Sequence, residues 1–195
     1  MRRKVFDVLV SAGGIIVVAV LVVAGALLMW GYSFTISSVH SQLAQQQIFF
    51  PAKGSAELAS PKIGPYLDQY AGQQLLTGPE AEAWANHFIA VHLGEMPYGG
   101  VYAKISTAAQ ANPGNAGLAA LEQTSFQGTT LRGLLLEAYA FYTMGQIALY
   151  AAIAAFVLAG LMLLLVGFGF WHSRRVSHEA EILFHPATVQ ESPTV

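Results

Sequence analysis

The chain has 195 residues, of which 54% are hydrophobic and 10% charged, against about 25% charged in a soluble globular domain. That composition excludes an ordinary soluble enzyme domain and a disordered tail as first readings. Nine Lys and Arg against eleven Asp and Glu give a net charge of -2, so no basic surplus meets a phosphate backbone and no nucleic-acid partner is expected. The absence of cysteine excludes a disulfide framework, thiolate metal sites and a thiol nucleophile.

From Val8 to Trp30 no charged residue interrupts a run rich in Val, Ile and Leu. As a helix it is about 34 Å long, enough to cross a bilayer. Arg2, Arg3 and Lys4 precede it, and Ala24-Gly25-Ala26 matches a signal-peptide cleavage pattern. A cleaved leader is the alternative reading, but the apolar run continues to Trp30, an interfacial anchor, and a retained span is expected. The spacing of Ile36, Val39 and Leu43 extends the helix outward until Phe49-Phe50-Pro51.

Residues 51–78 are dense in Pro and Gly and read as loop, with a short helix around Tyr66–Tyr70. Thr77-Gly78-Pro79-Glu80 has the pattern of a capping box and predicts a helix from Pro79 to Leu93, stopped by Gly94. Trp84, His87, Phe88 and Val91 on that helix form the candidate partner or ligand surface. Gly99-Gly100 reads as a turn. Two Ala-rich helices, 101–111 and 117–126, flank the turn signal Asn112-Pro113-Gly114-Asn115.

A second charge-free stretch has its densest apolar part from Ile147 to Trp171, about 37 Å as a helix. Leu131, Ala138, Gly145, Ala152 and Ala159 recur every seven residues, with Leu134, Phe141, Ala148, Ala155 and Met162 three positions after them. In the first span Ala12, Ala19, Ala26 and Ser33 match this series, with Ile15, Val22, Met29, Ile36 and Leu43 as companions. Small residues at such a seam let helices approach closely where no hydrophobic effect acts between them. Ala12, Ala19, Ala26, Gly145, Ala148, Ala152, Ala155 and Ala159 are therefore the candidate helix-packing seam. Continuing both helices outward sets His40 level with Glu137, a candidate pH-sensitive contact.

The expected fold is all-α: two transmembrane helices in an antiparallel pair, with a helical extracytoplasmic domain inserted between them. The expected order is a cytoplasmic N-terminus (1–7), a span (8–30), an extracytoplasmic domain (31–146), a second span (147–171) and a flexible cytoplasmic tail (172–195). Arg174 and Arg175 after the second span and the basic N-terminus put both ends in the cytoplasm of a plasma-membrane protein. Four basic and seven acidic residues lie between the spans, consistent with an outward position.

His87 and His92 are five residues apart, which on an α-helix turns them about 140° from each other. Packing or hydrogen bonding is the expected role of both, and no catalytic residue, metal ligand set or cofactor is assigned. The spans lack the ionisable residues that mark ion and proton pathways. The expected function is non-enzymatic: an accessory or interaction subunit that packs, through its outer domain, against a membrane-protein partner or a second copy. The alternatives are a membrane-anchored sensor or binding module for a small apolar or envelope molecule, and an oligomeric two-span channel.

At Phe49-Phe50-Pro51-Ala52-Lys53-Gly54, Ile63-Gly64-Pro65-Tyr66-Leu67, Tyr70-Ala71-Gly72-Gln73-Gln74-Leu75, Ala85-Asn86-His87-Phe88-Ile89 and Thr130-Leu131-Arg132-Gly133-Leu134-Leu135, the chain resembles a group of actinobacterial two-pass membrane proteins of unassigned function. Some of these carry the label of aromatic ring-opening dioxygenase. That label implies non-haem iron held by two histidines and a carboxylate. Here His40, His87 and His92 are the histidines between the spans, and nothing else in the segment supports such a catalytic domain.

Overall fold

The computed structural model describes residues 3–175, and they are helical apart from the long loop 47–63, shorter connections and a single antiparallel bridge. The elements are α1 (Arg3–Gln46), α2 (Gly64–Leu67) continued by a 3-10 turn (Asp68–Tyr70), α3 (Gly78–Trp84), a π-helical turn (Ala85–Ile89), α4 (Ala90–Glu95), a 3-10 turn (Pro97–Gly100), α5 (Tyr102–Ala111) and α6 (Ala116–Arg175). The chain divides into two compact units, Met1–Leu28 with Tyr150–Val195, and Met29–Leu149. The first four residues of the expected tail, 172–175, continue α6, and the tail from residue 176 onward lies outside the described residues.

The described residues of the first unit are helical throughout, and each long helix contains a stretch long and apolar enough to cross a membrane. Only 17% of that stretch is buried in α1 and 22% in α6. The core helix of a soluble protein would be buried over most of its surface.

In the second unit α1 ends at Gln46, and Gln47 takes a left-handed conformation (φ +52°) that turns the chain out of the helix. Ile48–Phe50 then runs extended beside Gln73–Leu75. The Phe50 amide donates to the Gln73 carbonyl at 2.8 Å, and the Leu75 amide to the Ile48 carbonyl at 2.9 Å. Gln74 Nε2 donates to the Ala44 carbonyl at 2.9 Å, satisfying one of the acceptors that a helix C-terminus leaves without an intrahelical partner. Two stretches, Phe49–Gly54 and Tyr70–Leu75, meet in this clasp.

Glu80 accepts from the backbone amides of Leu76 (2.7 Å) and Thr77 (2.8 Å), closing the start of α3. Two boundaries differ from the sequence expectation. The helix does not stop at Gly94 but continues to Glu95, where Met96 is extended (ψ 157°) because Pro97 disfavours helix in the residue before it. The segment 117–126 does not end before the seam helix: Ala116–Arg175 is one helix of 60 residues. Gly128 within it is tolerated, although glycine costs a helix interior about 1 kcal/mol, because its bare face lies against Leu93; an added Cβ would come within 2.8 Å of the Leu93 side chain.

The core of this unit gathers Val39, Leu43, Phe50, Leu58, Ile63, Leu67, Leu75, Ala81, Ala83, Ala85, Ile89 and Leu135. Apolar side chains from the outer part of α1, the loop, α3 and α6 are thus removed from water together, which is the main favourable term available to so small a body.

Candidate functional site

Trp84, Phe88 and Val91 are half-buried and pack against this core. The rings of Trp84 and Phe88 stack at 4.2 Å, and Phe50 meets Trp84 edge-on at 5.2 Å. His87 is half-buried and lies flat on Tyr66, with centroids 3.6 Å apart and ring planes within 5°. His92 is exposed, its Nδ1 2.7 Å from the Phe88 carbonyl. Each histidine therefore has its own packing or hydrogen-bonding partner. Burial raises the Tyr70 phenol above its ordinary range, and the charges of Glu80 and Glu82 add to the shift.

The π-helical turn is anchored from α6. Arg132 Nε donates to the Ala85 carbonyl at 3.3 Å and Nη2 to Asn86 Oδ1 at 2.9 Å. Asn86 Nδ2 in turn donates to Glu82 Oε1 at 2.6 Å. The guanidinium is thereby linked through one amide to a carboxylate, and the buried Ala85 carbonyl, which already accepts the Ala90 amide within the widened turn, gains a second donor. The stretches Ala85–Ile89 and Thr130–Leu135 come together here. Arg132 was not singled out from sequence, since a lone Arg on a helix has no local signature.

Among the described residues no three His, Cys, Asp or Glu side chains converge on a point that could hold a metal ion. The iron site implied by the dioxygenase label requires two histidines and a carboxylate, so these residues do not fit it. No ion pair joins His40 to Glu137 among the described residues; the pair found there is Lys62–Glu95, at 3.3 Å and exposed, a kind worth little to stability.

Glu137 instead lines a groove of about 320 Å³ within the second unit. One wall carries Ser38, Gln42 and Gln46, spaced four apart along α1, and the other carries Leu134, Glu137, Ala138 and Phe141 of α6. Phe34, Thr35, Val39 and Leu43 complete the lining. None of Trp84, His87, Phe88 and Val91 belongs to it.

Along the two long helices the seam residues divide. Ala152, Ala155 and Ala159 are buried, Gly145 is buried and Ala148 half-buried. Ala12, Ala19 and Ala26 are exposed. The buried small residues there are Ser11, Gly14 and Gly25. A Cβ on Gly14 would run into Val166, one on Gly25 would come within 2.9 Å of Phe156, and one on Gly169 within 2.6 Å of Ser11 Oγ. Two small-residue ladders lie side by side on α1, and the one holding glycines admits the closer backbone approach. In the second unit a Cβ on Gly145 would come within 2.5 Å of Thr35 Oγ1.

No protein-family description matches the chain, no curated protein matches it, and no solved structure matches its fold.

Proposed function

We infer that the chain is an integral membrane protein crossing the plasma membrane twice as an antiparallel helix pair, with both termini cytoplasmic and residues 31–146 outside. The large apolar side chains left uncovered along both long helices, Ile16, Val20, Leu27, Leu161 and Leu165 among them, support lipid as their solvent. The pairing is supported by the close approaches of Gly14 to Val166, Gly25 to Phe156 and Gly169 to Ser11.

A Cβ on Gly169 would stand 3.8 Å from the Ser11 Cβ, within the span of about 3.5 to 4.5 Å that a disulfide bridges. The chain has no native cysteine, so the double variant Ser11→Cys/Gly169→Cys gives a clean reading. Under mild oxidation it is expected to form an intrachain disulfide that holds the helix fragments together after trypsin cuts at Lys53 and Lys62. Ala12→Cys/Gly169→Cys is expected to fall apart into separate fragments. The opposite pattern would discard this helix face.

Within that frame the outer segment serves as a non-enzymatic interaction subunit, packing against a membrane-protein partner or a second copy. One observation carries this reading: Tyr98, Val101, Tyr102 and Phe126 remain exposed in a segment with eleven charged residues from Gly31 to Gln146, the Tyr102 and Phe126 rings 5.6 Å apart. Exposed aromatics with few charges are the composition of a covered interface. A photo-crosslinking amino acid at Phe126, activated in intact membranes, is expected to give one discrete adduct. The same probe at exposed Ala111 on the end of α5 is expected to give none. A smear from both positions, or no adduct from Phe126, would remove the interaction reading.

A further inference from the structure

We propose that the notch around Gly167, on the face of α6 turned away from α1, is a binding site for an anionic phospholipid of the cytoplasmic leaflet, with its acyl chain on the apolar walls and its phosphate on the Arg175 guanidinium. The site rests on the membrane-spanning reading given above. Leu163, Leu164, Gly167, Phe168 and Trp171 enclose about 410 Å³, within the range of about 300 to 1,000 Å³ that small-molecule sites occupy. Large side chains stand around a missing one: Leu163, Leu164, Phe168 and Trp171 are each more than half exposed, and nothing lies within 4 Å of a Cβ on Gly167. The buried positions of this stretch, Ala155, Ala159, Val166 and Ser173, fall on the opposite side of the helix. The notch therefore opens to lipid.

Depth and charge select the occupant. Leu163 to Trp171 covers about 12 Å of helix at 1.5 Å per residue, all within the apolar run that ends at Trp171, so an acyl chain meets it inside the bilayer. Arg175 stands one turn further, about 6 Å beyond Trp171 and at headgroup level, and its guanidinium carbon lies 4.2 Å from the Trp171 ring centre. Stacking occupies the face of the guanidinium and leaves its N–H edge to donate two parallel hydrogen bonds to a single phosphate. Among the described residues no carboxylate pairs with Arg174 or Arg175, and Arg2, Arg3 and Lys4 belong to the same side of the membrane. That surplus favours a lipid of net negative charge over a zwitterionic one. A second copy fits the face less well. It would cross the bilayer in the same direction, and a symmetric contact would set the two Arg175 guanidinium groups against each other.

Native mass spectrometry of the full-length protein in mild detergent, with equimolar phosphatidylglycerol and phosphatidylethanolamine, tests the assignment. Phosphatidylglycerol adducts are expected to exceed phosphatidylethanolamine adducts by about fivefold, the scale of one basic side chain at an anionic surface, and Arg175→Gln is expected to bring the ratio below about twofold. Gly167→Leu fills the notch and is expected to abolish the preferred adduct. Gly13→Leu on α1, where a Cβ also meets nothing within 4 Å, is expected to keep it. Unchanged circular dichroism of the variants would exclude misfolding as the cause. Equal occupancy by the two lipids, a preference that survives in Arg175→Gln or in Gly167→Leu, or protein dimers that Gly167→Leu disperses would overturn the site. Labelling of Ala56→Cys, at an exposed loop position, by an impermeant maleimide on intact cells separates the two failures. With Ala56→Cys labelled and no lipid preference, the lipid site alone falls. Without labelling, the membrane orientation falls and the cytoplasmic lipid site with it.

Discussion

Gly100→Ala is expected to destabilise the second unit, Met29–Leu149, by about 3 kcal/mol or more, while Gly99→Ala costs about 1 to 2 kcal/mol. Both glycines have φ of +66°, a left-handed conformation in which any side chain is strained. Only Gly100 has a second constraint: a Cβ there would collide with the Leu93 carbonyl, whereas nothing lies within 4 Å of one on Gly99. Backbone cannot give way as a side-chain tip can. The Gly100 carbonyl also accepts from Ser125 Oγ at 2.8 Å, and Ser125 is fully buried on α6. A shift of the turn would therefore cost that hydrogen bond as well. Chemical unfolding followed by Trp84 emission, with Trp30 and Trp171 replaced by Phe, measures both variants. Equal losses at the two positions would show that the approach of Gly100 to Leu93 is not made.

The second large effect is on α6. Leu135→Ala is expected to lower stability by about 3 to 4 kcal/mol, in the range of large-to-small changes in well-packed cores. Leu131→Ala should stay within about 0.5 to 1 kcal/mol. Leu135 is 1% exposed and belongs to the core formed with Leu43, Leu67 and Leu75, while Leu131 is exposed. The two leucines are four apart, and chemistry alone does not separate them. The same fluorescence-detected unfolding reads the difference, and comparable losses would mean that α6 is rotated from the register described here.

That register explains where the heptad reading and the fold part company. The seven-residue series placed Leu131, Leu134 and Phe141 at the outer seam, yet all three are exposed, and the buried position is Leu135. Outside the spans the facing surface is not one straight helix but also the loop and α3, which take contact from a different side. Gly78 illustrates this: its bare face lies directly against Tyr142 of α6. A periodicity argument assumes one partner of constant direction, and this helix has several.

The aromatic residues show a similar division. Trp84, His87, Phe88 and Val91 were legible as a dense group from their order in the chain, but an aromatic core and an aromatic pocket read alike in sequence. Tyr66 against His87 and Phe50 against Trp84 engage them in packing. The groove forms elsewhere, from Ser38, Gln42, Gln46 and Glu137. Those polar residues carry no motif, because their common feature is a shared position across two helices rather than a spacing along one.

Composition and order along the chain were sufficient for the helical class, the two long apolar helices, the capped start of α3 and the turn at Asn112–Asn115. Each depends on neighbours within a few residues: uninterrupted apolar side chains, Glu80 reaching back to Leu76 and Thr77, and Pro and Gly at a break. Tertiary structure decided which small residues of α1 are buried, where the π-helical turn is anchored, and where a groove opens. Ala12 and Ser11 differ by one position, and the choice between them is made by Val166, Phe156 and Gly169, more than a hundred residues away. The scarcity of charge in the outer segment was visible at once. Its physical meaning depended on position, since the one carboxylate of the groove, Glu137, stands without a counter-charge among the described residues.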